Sequence, residues 1–193
     1  DIIDEYNLQL IKDFSSGLPF MAVLLLESFK VSNLVGPLQN KHILEKLLSA
    51  NNEEKEILKS CSLFNEIGYE NSKKSQIQFI LTNKNITPGI NGSDSYILAL
   101  FFKLFTRYKK REIFESYGDL FTIRPKPISI NLAYDWLEEC DSSRFEGTIK
   151  DLQDYNDKYL IESLCKQFDY LSSNPKASEM VEKLLKRSYF HLF

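Results

Sequence analysis

Apolar residues recur at three- and four-residue steps along most of this chain, so helices dominate the expected fold. Ile3, Tyr6, Leu10 and Phe14 mark the first. Ser15, Ser16 and Gly17 stop it, Pro19 sits where a fixed φ and a missing N–H are harmless, and Phe20 to Phe29 predicts a mostly buried helix. After a break at Asn33 to Pro37, Ile43, Leu44, Leu47 and Leu48 predict a third short helix. Residues 1–50 therefore read as a compact helical cluster.

Asn51 with Glu54 three residues on resembles a capping box, and Ile57, Leu58, Cys61 and Phe64 form the stripe of the helix it would open. Ser72 is expected to cap the next helix, with Ile77, Ile80 and Leu81 inward, and a polar loop spans Asn83 to Gly92. Ser93 or Asp94 caps a longer helix from Tyr96 to Tyr108, with Ile97, Leu100, Phe101, Leu104 and Phe105 on one face. The period then changes. Glu112–Glu115 and Leu120–Ile123 are strand candidates joined by turn residues Ser116 to Asp119. Helix, helix, longer helix and hairpin make the order of a winged helix over residues 51–140.

Pro125 and Pro127 forbid a continuing central strand, and Ile128, Leu132, Ala133, Trp136 and Leu137 predict a helix. Beyond a loop at Asp141 to Gly147, residues 141–193 predict a helical pair. Its first, long member runs from Ile149 to Leu171, and Asn174-Pro175 opens the second. One pair does not establish a repeat. The fold class expected is mainly α: a helical lid cluster, a winged helix with a small β-hairpin wing, and a C-terminal helical arm.

With 43% hydrophobic and 13% aromatic residues in 193, the chain can bury a substantial core. A formal charge of -3 gives no global attraction to nucleic acid, although Arg107, Lys109, Lys110 and Arg111 cluster locally. Cys61, Cys140 and Cys165 are widely spaced and set in helical patterns, so they read as reduced packing residues of a cytoplasmic protein. The longest apolar run, Phe20 to Leu26, falls short of the roughly 20 residues a bilayer span needs.

Catalytic chemistry is sparse. His42 and His191 are the only histidines, and the carboxylate pairs Asp4-Glu5, Glu53-Glu54 and Glu138-Glu139 are sequence neighbours, pointing apart on a helix. No metal-ligand spacing occurs, and the phosphate-cradling pattern G-x-x-x-x-G-K-[ST] is missing. Trp136, one turn after Leu132, reads as core rather than as a stacking platform.

Gly17-Leu18-Pro19-Phe20 looks like the GxP motif of a helical lid. Glu54 to Phe64 looks like the opening helix of the associated winged helix, and Leu120 to Trp136 is similar to its wing strand and following helix. Over roughly residues 1–140 the chain thus resembles the lid and winged-helix region of STAND-class signal-transduction P-loop NTPases, the NB-ARC and NACHT groups and bacterial antiviral sensors among them. A histidine motif stands after the wing in many members; here Arg124-Pro125-Lys126-Pro127 takes that place.

The resemblance implies that Pro19 contacts adenine and that Lys126, with Arg124 as the second choice, occupies the phosphate-sensing place, where a cation forms a charge-assisted bond to a diphosphate. It further implies an upstream P-loop domain binding ADP or ATP with Mg, downstream sensor repeats, and a ligand-driven shift from a closed monomer to a homo-oligomer. No nucleotide hydrolysis is expected of these residues alone. Two alternatives stay open: a DNA-binding winged helix using Arg107, Lys109, Lys110 and Arg111, and a helical protein-interaction module without nucleotide.

Overall fold

The computed structural model describes residues 3–15, 19, 22, 23, 25, 26 and 48–190. Among them the architecture is mainly helical with one small antiparallel sheet. Helix α1 (Glu5–Ser15) comes first. The central part runs α2 (Asn52–Ser62), β1 (Ile67–Gly68), α3 (Lys74–Thr82), α4 (Asp94–Lys110), β2 (Phe114–Tyr117) and β3 (Leu120–Ile123). Then come α5 (Lys126–Glu139), α6 (Ser142–Tyr155), α7 (Lys158–Phe168) and α8 (Pro175–Phe190).

Local chemistry accounts for most boundaries. Asn51 and Glu54 form the expected capping box, each side chain accepting from the other's backbone N–H. Ser93 caps α4, Asp141 caps α6 and Asp157 caps α7. Ser72 does not cap α3, because a 3-10 turn at Asn71–Lys73 leads into it and makes Lys73 the N-cap.

The sheet has strand order β1-β3-β2. Ile67 pairs with Phe121, while Phe114 pairs with Ile123 and Tyr117 with Leu120. The first hairpin strand lies two residues later than its sequence signal, so the turn shrinks to Gly118-Asp119. Gly118 takes φ +55°, the left-handed conformation open to glycine.

Behind the sheet, Phe101, Phe105, Tyr69, Phe114 and Phe121 form an aromatic cluster, Tyr69 stacking on Phe105 at 4.5 Å and Phe114 packing on Phe121 at 5.1 Å. Such pairs add about 0.5–1.5 kcal/mol each beyond their buried area. One contiguous apolar core runs from Ile11 to Leu184. It is continuous across both residue 50 and residue 140.

Three expectations need correction. The loop expected over Asp141–Gly147 is helical from Ser142. The long helix through Leu171 is broken at Asn156, which ends α6 in a left-handed conformation (φ 54°). Asp157 then starts α7, so the C-terminal part holds three helices rather than a pair. Tyr6, assigned to the inner stripe of α1, is 72% exposed, whereas Ile11 is buried. The Phe20–Phe29 helix, the Asn33–Pro37 break, the helix of Ile43, Leu44 and Leu47, and His42 and His191 lie outside the described residues.

Candidate functional site

The chain leaves β3 through a cis Arg124-Pro125 peptide bond, and Pro125 is the N-cap residue of α5. This junction separates the two candidate phosphate contacts. Arg124 is exposed, and its Nε donates to Glu115 Oε2 at 3.0 Å. It borders an open depression shared with Lys109, Glu112, Ser116 and Pro125, whose volume is ≈ 630 Å³.

Lys126 is turned inward and only 8% exposed. Its Nζ donates to Asn65 Oδ1 and to Gln167 Oε1, each at 2.6 Å, and stands 4.8 Å from the centre of the Tyr170 ring. Neither oxygen carries a charge. Burial first, and the neighbouring positive charge of Arg124 second, bring its pKa down from 10.5 to about 8, with Glu66 opposing. A surface depression beside it is lined by Asn65, Lys166, Asp169 and Tyr170.

Around Lys126 the polar contacts continue. Gln167 Nε2 donates to Ser129 Oγ, which donates to the Lys126 carbonyl. Asn65 N donates to the Ser163 carbonyl, Glu66 N to Ser163 Oγ, and Ser163 Oγ to the Glu66 carbonyl. Thr122 Oγ1 reaches the Asn65 carbonyl at 2.7 Å. At the end of β2, the Tyr117 hydroxyl bonds Glu66, and burial together with that carboxylate pushes its pKa up to about 12.

The four basic residues at the end of α4 do not act as one free cluster. Arg107 donates to Glu54 Oε2 at 2.8 Å, and Arg111 donates to the Leu48 carbonyl at 3.2 Å. Lys109 and Lys110 are exposed. The apolar residues of α4 do not cover its outer face: Ile97, Phe101, Leu104, Phe105 and Tyr108 are buried, whereas Ser95, Tyr96, Ala99, Lys103, Thr106 and Lys110 are exposed. Burial of α4 is limited to one side.

Pro19 is helical and exposed, while its motif neighbours Gly17, Leu18 and Phe20 lie outside the described residues. Trp136 is fully buried, donates from Nε1 to the Ile86 carbonyl, and has the Arg144 guanidinium 4.4 Å from its ring centre. Cys61, Cys140 and Cys165 are free thiols, and burial pushes the Cys61 thiol well up. Among the described residues no group of three or more His, Cys, Asp and Glu side chains is placed to hold a metal, and no helix is long and apolar enough to cross a membrane.

No family model, curated protein or solved structure matches this chain.

Sequence reasoning passed over Asn65, Ser163 and Gln167, the partners that fix Lys126 and the segment beside it. A signal existed for Gln167. It falls on the inner stripe of α7 set by Leu160, Leu164 and Phe168, where a polar residue needs a buried partner. The identity of that partner was not legible, because Lys126 lies 41 residues away.

Proposed function

We propose that the chain is the regulatory lid and winged-helix module of a STAND-type NTPase of the cytoplasm, coupling nucleotide state to autoinhibition and oligomerisation. The observation that carries the reading is the order α2, β1, α3, α4, β2, β3 with strand order β1-β3-β2, an order that supports a winged-helix reading. Its integration into one apolar core with α1 and with the C-terminal helices suits an intramolecular coupling element.

In this reading a P-loop domain upstream holds ADP or ATP with Mg and supplies the hydrolytic chemistry. Arg124 fits an approaching phosphate better than Lys126. Arg124 is exposed, beside Lys109, and need only exchange the Glu115 carboxylate for a phosphate oxygen. Lys126 would first have to surrender two buried amide partners. Pro19 is exposed, as an adenine contact must be before its partner domain closes over it.

The test uses the protein with its native flanking sequence. A Walker A motif is expected upstream in the coding frame, ADP is expected to co-purify, and Arg124→Glu is expected to reduce its retention and raise basal oligomerisation. Arg124→Glu is a cleaner variant than Lys126→Glu, which would place an acid among buried carbonyl oxygens. Purified protein free of nucleotide would overturn the proposal.

A second reading, DNA binding, is favoured by the exposed stripe Ser95, Tyr96, Ala99, Lys103, Thr106 and Lys110, which lies where a winged helix presents its recognition helix. Filter binding at two salt concentrations separates the readings, because phosphate contacts weaken steeply with salt.

A further inference from the structure

The C-terminal helices meet the three-stranded part across two different kinds of contact. Leu160, Leu164, Phe168 and Leu171 join the common core. Alongside them runs a polar seam in which Ser163 and Gln167 of α7 bond the backbone at residues 65 and 66, Ser129, and the Lys126 ammonium. The cation at the centre has only neutral amide oxygens as hydrogen-bond acceptors, and among the described residues it forms no ion pair with a carboxylate. A polar seam keeps much of its hydrogen bonding to water when it opens, unlike a purely apolar joint.

We propose that α7 and the 3-10 turn that follows it (Asp169–Leu171) open from this seam as a local unit, and that opening takes up a proton at Lys126. This inference does not depend on any nucleotide. The charged and titratable groups around the amine come from every side. They are Arg124 at the strand-to-helix junction, Glu66 after α2 with the Tyr117 hydroxyl on it, Lys166 of α7, and Asp169 and Tyr170 of the turn. The depression lined by Asn65, Lys166, Asp169 and Tyr170 borders the seam through Asn65 and Tyr170, both of which touch the amine.

The sign follows from linkage. In the closed form burial, then Arg124, hold Lys126 near 8, whereas an amine freed into water returns towards 10.5. The open form therefore binds more protons between those values, and raising pH through that window closes the seam. Below it both forms are charged and the pH dependence disappears.

Quench-flow native-state hydrogen exchange, corrected for intrinsic rates, tests this on the amides of Ser163 to Phe168. Between pH ~7.5 and ~9.5 their opening constant is expected to fall about twentyfold. In Lys126→Arg, whose side chain stays charged throughout, the fall is expected to vanish while the amides of α2 remain as protected as in the wild type. Three results would overturn the proposal: opening independent of pH, the same fall in Lys126→Arg, or an equal pH response in α2, which would make the proton part of global unfolding.

Discussion

The indole N–H of Trp136 donates to the main-chain carbonyl of Ile86 at 2.8 Å, so the loop before α4 hangs on a helix 50 residues further along the chain. Ser60 Oγ donates to the same carbonyl at 2.9 Å, joining α2 to that point as well. Trp136→Phe would remove one donor and leave a space behind a fully buried ring. A loss of about 2–3 kcal/mol is expected. Urea unfolding followed by circular dichroism measures it, since Trp136 is the chain's single tryptophan and the variant has no indole fluorescence.

Glu54 supplies an acid-sensitive contribution. Burial works to raise its pKa, but the Arg107 hydrogen bond, the Asn51 backbone N–H and the positive charges of Arg107 and Lys103 outweigh that and hold it below 4.5. A carboxylate depressed on folding stabilises above its unfolded pKa, and that stability is lost as pH falls through the folded value. The urea midpoint of the wild type should therefore drop below pH ~4.5 more steeply than that of Glu54→Gln. Parallel curves would show that Glu54 contributes nothing to the pH dependence.

Arg107 and its neighbours Lys109 and Lys110 should separate in a stability measurement. Arg107→Ala leaves a largely buried carboxylate without its cation, costing roughly 1 kcal/mol after allowance for the half-exposed guanidinium. The double variant Lys109→Ala, Lys110→Ala should lie within ~0.5 kcal/mol of the wild type. If nucleic acid binds, the double variant should weaken it and reduce its salt slope by about 2, because two phosphate contacts are lost.

Gly68 lies in β1 where a Cβ would come within 2.3 Å of Lys73 Cβ and 2.6 Å of the Lys73 carbonyl oxygen. The second contact is backbone and cannot swing aside. Gly68→Ala should cost about 2 kcal/mol or more, and thermal unfolding should show it. At Gly118 a Cβ meets open space, so Gly118→Ala should cost only its left-handed conformation, about 1 kcal/mol.

Short-range grammar was legible in the chain. The Asn51–Glu54 box, the Ser93 cap, the hairpin before the prolines and the burial of Trp136 depend on residues a few positions apart or on helical spacing. Ser72 failed as a cap because a 3-10 turn placed it before the helix, and the loop expected at Asp141 failed because Asp141 is itself a helix cap. The candidate site was half visible. Arg124 and Lys126 stood out as cations after the hairpin, but nothing local said that one would face water and the other would be buried.

The sequence by itself determined a mainly helical chain with one hairpin, because hydrophobic period, caps and prolines act over a turn or two of backbone. Only the tertiary structure decided that the sheet gains a third strand at Ile67, that α4 keeps a polar outer face, and that Lys126 lies between Asn65 and Gln167. Those outcomes depend on which surfaces meet across tens of residues, and the burial that moves the Lys126 pKa exists only once they have met.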